Sequence, residues 1–189
     1  MRKETIIVAI IIILLVGIGW YVMANQTVLG EHNNIVGVGY ADTNGKTMLA
    51  QTFKIGCYGS QSDFEITSVN LLLYSDTAPH TLTVDICETD TSFIPTDTVL
   101  MTTTKTVTLE SERSENAWVT FEFDEPITFT LDETYAIVVS GYITPIYWAM
   151  SNDMVYCYLN VRSWSYDGTI WSGYGYNWCN NFEVWGHER

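Results

Sequence analysis

Between Ala117 and Val139 the chain reads AWVTFEFDEPITFTLDETYAIVV. Val119, Phe121 and Phe123 alternate with Thr120 and Glu122, which is the period of a strand with one wet face. Asp124-Glu125-Pro126 interrupts that period, and Ile127-Thr128-Phe129-Thr130-Leu131 resumes it. Asp132-Glu133 marks a turn. Thr134 to Val139 is then β-branched and apolar, as a strand covered on both faces should be. The pattern predicts strand, turn, strand, turn, strand, and a helix cannot satisfy it.

The same grammar extends in both directions. Leu49 to Ile55, Ile66 to Tyr74, the alternating Leu82, Val84 and Ile86, and Thr98 to Leu109 read as strands ahead of this stretch. Ile146 to Met150, Val155 to Val161 and Phe182 to Trp185 read as strands after it. Short strands at regular spacing, with turn residues between them and no amphipathic helix, predict an all-β antiparallel sandwich or barrel over residues 48–189.

One segment departs from this. Ile6 to Ala24, IIVAIIIILLVGIGWYVMA, is nineteen residues without a charge. As a helix rising about 1.5 Å per residue it approaches the ~30 Å hydrocarbon core of a bilayer. Arg2 and Lys3 precede it, so the positive-inside rule leaves the N-terminus in the cytoplasm and places the rest of the chain outside. Residues 1–24 are therefore read as a transmembrane anchor. A cleaved signal peptide ending near Val22-Met23-Ala24, which would release a secreted protein, is the alternative, and a pilin-like helix packed in a filament is a third. Residues 25–47 are rich in Gly and Asn, lack a sustained period and read as a stalk. Asn25-Gln26-Thr27 within it is a glycosylation sequon, with Asn25 as the acceptor.

Charge narrows the partners. The chain carries a formal −14, and beyond the apolar run 21 acidic side chains face 6 basic ones. Such a field repels phosphate backbones and argues against nucleic acid. Four cysteines, Cys57, Cys87, Cys157 and Cys179, all follow the apolar run. An even count in an exported chain suggests two disulfides, with three connectivities open. No paired-cysteine motif of a zinc site is present. Asp85, Glu88, Asp90 and Asp97 flank the turn after the Leu82–Ile86 strand and form a weak calcium candidate.

The region from Ala50 to Gly186 resembles the choice-of-anchor R type of extracellular β-sandwich module. Its pieces come in the family's order: Ala50-Gln51-Thr52-Phe53, Ile66-Thr67-Ser68-Val69-Asn70-Leu71, Leu82-Thr83-Val84-Asp85-Ile86, a polar turn with Pro95, and Thr98-Val99-Leu100. Trp118-Val119-Thr120-Phe121, Pro126-Ile127-Thr128-Phe129, Thr134-Tyr135, Tyr147-Trp148, Asp167-Gly168 with Trp171, and Phe182-Glu183-Val184-Trp185-Gly186 follow. The resemblance implies a jelly-roll-like sandwich displayed outside the cell, and it transfers no catalytic residue. In a jelly roll the first and last strands usually pair antiparallel. On that implication Cys57, just past the first strand, bridges Cys179, just before the last, leaving Cys87–Cys157 as the second disulfide.

Function is sought in the C-terminal third. From Tyr142 to Trp185, 44 residues hold 13 of the 26 aromatics, and Gly and Ser separate many of the rings. Flat rings stack on the apolar face of a pyranose while amides and carboxylates bond its hydroxyls. Trp164, Tyr166, Trp171, Tyr174, Tyr176 and Trp178 form the expected platform, and Asp167, Asn177, Asn180 and Asn181 the polar partners. The competing reading is that these rings fill the core. No GxSxG, HExxH, P-loop or GxGxxG occurs. His32, His80 and His187 read as exposed loop residues, and the expectation is a protein that is not an enzyme. The chain is thus expected to be a membrane-anchored, extracellular, non-catalytic binding module for carbohydrate or a cell-surface partner, with no cofactor other than calcium. The alternative is a self-assembling structural subunit of a surface layer, filament or virion.

Overall fold

A computed structural model describes residues 27–32, 39–42, 45–56, 62–77, 79–111, 117–151, 162–174 and 179–189. The apolar run and the segment Val155 to Val161 lie outside these residues. Among the described residues no helix is long and apolar enough to cross a membrane.

The described chain is all-β, and its strands form two antiparallel sheets. They are β1 (Thr27–His32), β2 (Gly39–Asp42), β3 (Met48–Lys54), β4 (Phe64–Tyr74), β5 (His80–Thr89), β6 (Pro95–Val107) and β7 (Trp118–Phe129). After them come β8 (Thr134–Ser140), β9 (Tyr147–Ser151), β10 (Ser163–Tyr166), β11 (Trp171–Gly173), β12 (Cys179–Asn180) and β13 (Phe182–Glu188). One sheet has six strands in the order β11-β10-β3-β8-β5-β6. The other has seven, with the path β1-β13-β4-β9-β12, β7 joining β4 and β2 joining β9.

The core lies between the sheets because the strands alternate. Leu49 and Phe53, Leu82, Val84 and Ile86, and Ile137 and Val139 turn inward from the six-stranded sheet. Ile66, Val69, Leu71, Phe121, Phe129, Phe182 and Val184 meet them from the other. Rings bridge the gap: Phe53 lies 6.3 Å from Phe182, and Phe129 meets Tyr135 edge-on at 4.7 Å. Each fully buried Leu or Phe contributes roughly 1.5–3 kcal/mol through lost apolar exposure.

Three local readings change. Asp124-Glu125-Pro126 does not end a strand. β7 runs through it, and four residues, Phe123 to Pro126, stand opposite the single Thr67 of β4 between the pairs Ile66–Ile127 and Ser68–Glu122. The loss of alternation marks a bulge on a strand whose one partner among the described strands is β4, an edge position where Pro126 is tolerated. Parts of the expected stalk are also strands, since β1 pairs with β13 and β2 with β9. Short edge strands are held by backbone bonds to one partner and need no sustained side-chain period. Finally, β3 and β13 lie in different sheets, so the first predicted strand does not pair with the last. β13 pairs with β1 and β4 instead.

The cysteines follow from this. Cys87 is a buried free thiol in the middle of a sheet, so the expected Cys87–Cys157 bridge is not made. Cys179 is buried and disulfide-bonded. Cys57 and Cys157, the two remaining cysteines, lie outside the described residues.

Candidate functional site

The aromatic segment folds into a hairpin at the edge of the six-stranded sheet. β10 pairs on one side with β3 and on the other with β11, which is the sheet's last strand. Asp167 to Ile170 makes the turn. Asp167 Oδ1 accepts from Thr169 N at 2.9 Å, Thr169 Oγ1 at 2.6 Å and Ile170 N at 3.0 Å. Gly168 takes φ +97, where a side chain would be strained. The Thr169 hydroxyl first, and then the Ile170 and Thr169 amides, hold the exposed Asp167 carboxyl down at about 2.

Strand alternation sets Trp164, Tyr166 and Trp171 on the outer face of the sheet. Tyr166 and Trp171 are directly opposite each other, with ring centroids 5.1 Å apart and planes tilted by 42°. Both rings are half-exposed. Trp164 is different. It is 6% exposed and packs with Ala50, Cys87, Ala136 and Val138 in a second apolar cluster on that face. Its ring lies against Gly173, where an added Cβ would come within 3.2 Å of Cζ3. Trp164 therefore floors the site without offering its own face to a ligand.

The remaining predicted residues are scattered. Tyr174 is half-buried against the main core, and its amide closes the hairpin on Ser163 O at 2.9 Å. Asn180 and Asn181 are fully buried, contrary to their expected role as surface partners of a ligand. Asn180 N donates to Gln51 Oε1 at 2.6 Å, Ser163 Oγ donates to the same oxygen at 2.8 Å, and Asn180 Nδ2 donates to Ala50 O at 3.2 Å. The Asn181 carbonyl accepts from Trp148 Nε1 at 2.8 Å. Both asparagines serve backbone closure inside the sandwich. Tyr176, Asn177, Trp178 and Asn25 lie outside the described residues.

The acidic turn does not gather a metal set. Among the described residues no group of three or more His, Cys, Asp or Glu side chains could hold a metal ion. Asp85 sits within β5, while Asp90 Oδ1 is taken by the amides of Ser92 at 2.8 Å and Ile94 at 2.9 Å. Glu88 and Asp97 are exposed and apart from such a set. The four carboxylates of the calcium candidate thus do not converge on one point among the described residues, and Asp90 Oδ1 closes its own turn.

His80 is another correction. It is 4% exposed at the start of β5, not on an open loop. Nε2 donates to Thr77 O at 2.7 Å and lies 3.0 Å from Ser75 Oγ. Because a carbonyl can only accept, Nε2 carries the proton, and Ser75 Oγ spends its own proton on Pro145 O at 2.8 Å. This Ser–His contact is thus a clamp between two loops and leaves no base aimed at a nucleophile. The signal available was the Ser75-Asp76-Thr77 turn ahead of it, whose hydroxyls and carbonyls need an imidazole partner once buried.

No family model matches the chain, and no curated protein matches its sequence.

Proposed function

We propose that this chain is a membrane-anchored extracellular sandwich that binds carbohydrate without catalysis, its jelly-roll-like domain carried beyond the apolar run Ile6 to Ala24. The observation that carries the reading is the half-exposed Tyr166–Trp171 pair beside the ionised Asp167. Two adjoining rings supply an apolar platform for a pyranose face. Asp167 uses Oδ1 on its own turn, and Oδ2 remains to accept from a sugar hydroxyl. The buried Trp164 beneath keeps the platform rigid, which lowers the ordering cost of binding. The resemblance to choice-of-anchor R modules supports the extracellular address.

The test is a glycan array probed with the full-length chain in neutral detergent, followed by titration of tryptophan fluorescence. Saturable binding that falls at least about tenfold in Trp171→Ala and in Tyr166→Ala is the expected result. Absence of saturable binding by a folded sample rejects the carbohydrate reading.

A further inference from the structure

A second surface lies on the opposite edge of the six-stranded sheet. Among the described strands β6 has β5 as its one ladder partner, and β7 has β4 as its. The two open edges therefore run beside each other along one flank of the sandwich. Both are irregular there. On β6, Leu100 is an extra residue between the pairs Ile86–Met101 and Cys87–Val99. On β7, Phe123 to Pro126 is the four-residue excursion described above. These irregular segments meet across a groove of about 310 Å³ that Leu100, Met101, Phe123, Asp124, Glu125 and Ile127 line. Further along, Lys105 Nζ reaches across from β6 to bond Thr120 O of β7 at 2.9 Å.

The groove joins an apolar floor to an anionic rim. Ile127 is 38% exposed and the neighbouring Val99 49%, among the few large apolar side chains that the described surface leaves open. Asp124 and Glu125 are exposed beside them, and among the described residues no cation lines the groove. Open strand edges take up further strands, and natural proteins usually block them. Here Lys105 does so at Thr120, and the two bulges with Pro126 do so at the groove, leaving a side-chain surface whose carboxylates repel a second copy of a chain with net charge −14.

We infer that this groove docks an extended, basic polypeptide segment of a partner protein, held by its side chains at the β6/β7 flank. Apolar side chains of that segment enter between Leu100, Phe123 and Ile127, and its Lys or Arg side chains pair with Asp124 and Glu125. Apolar burial gives affinity, and the charge pairs give specificity and orientation. This surface is separate from the Tyr166–Trp171 platform, and the inference does not rest on carbohydrate binding.

The test uses the full-length chain in neutral detergent and a fluorescein-labelled decapeptide of alternating lysine and valine, read by anisotropy. Saturable binding is expected, weakened at least about tenfold by Asp124→Asn/Glu125→Gln and abolished by Ile127→Lys. The charge-matched Asp76→Asn/Glu110→Gln variant, altered beyond the C-terminal end of β6, should bind as the parent does. A decapeptide with glutamate in place of lysine should not bind. Equal weakening in the two double variants would mean diffuse attraction to an acidic surface and would overturn the inference. So would absence of saturable binding. Self-association of the chain in sedimentation, lost in Ile127→Lys, would give the edge to a second copy and likewise overturn it.

Discussion

Asp167 and Cys87 show what single side chains contribute, and each has a readable chemical state. The folded pKa of Asp167 is about 2 against an ordinary 3.8, so the proton is bound more weakly in the folded chain. The turn's contribution to stability is then complete above pH 3.8 and is lost as pH falls through about 2. An NMR titration should place this carboxyl well below the ordinary aspartate value of 3.8. Asp167→Asn should lower hairpin amide protection by an amount that is constant at neutral pH and shrinks towards pH 2. Cys87 moves the other way: burial first, then Asp85 and Asp97, push its thiol up to about 12. Maleimide should leave it unmodified in the folded protein at pH 8, because the thiolate is the reactive form. With Cys179 bridged to one other cysteine and Cys87 free, denaturation without reduction should expose two thiols by colorimetric titration. None of this was legible in residue identity. The sequence pattern marks Asp167-Gly168 as a turn, but the three bonds on Oδ1 depend on how the turn closes. The burial of Cys87 depends on a second apolar cluster outside the sandwich core.

Strands were legible where one face is wet and the other dry. β4, β5 and β8 stand close to where alternation and β-branched runs predict them. The reading failed at β7, where a bulge imitates a turn, and at β1 and β2, short strands whose residues have no sustained period. It also missed the β10–β11 hairpin, whose aromatic and Gly-rich run has no clean period. The aromatic platform was therefore half-legible: residue type pointed to the segment, but only packing separates the half-buried Tyr166 and Trp171 from Trp164, which shares their face and sinks onto Ala50, Ala136 and Val138. Gly186 shows an element-scale demand that sequence cannot announce. It sits at the register shift of β13 against β4, and an added Cβ would collide with the Glu65 carbonyl oxygen. Gly186→Ala should destabilise the domain by at least about 1–3 kcal/mol, because backbone has to move. Urea unfolding followed by tryptophan fluorescence measures this.

At the scale of the whole molecule, two sheets must be kept in register across an apolar core that has no directional bonds of its own. Gln51 of the six-stranded sheet supplies one such bond, accepting from Asn180 N of the seven-stranded sheet and from Ser163 Oγ at the same oxygen. Gln51→Ala would remove the acceptor these two donors share, leaving Asn180 N its longer bond to Ser163 Oγ at 3.0 Å. It should cost about 2–4 kcal/mol, combining unmet hydrogen bonds with a cavity, measured by the same unfolding experiment. The all-β class was legible from strand count and spacing, which left a sandwich and a barrel both open. The order of strands was not legible, because many pairings of thirteen short strands satisfy one hydrophobic pattern. The β1–β13 pairing has a mechanical side. Thr27 stands opposite Gly186 and His32 opposite Phe182, so the strand nearest the apolar run is laced to the last strand of the fold. Tension transmitted along the chain ahead of Thr27 reaches this ladder before any other part of the sandwich. Pulled along the strand axis, its bonds share the load at once; pulled against the chain's far end, which leaves beside Thr27, they open in sequence like a zip. A tethered molecule of this kind would resist drag on its body far better than a tug on its tail.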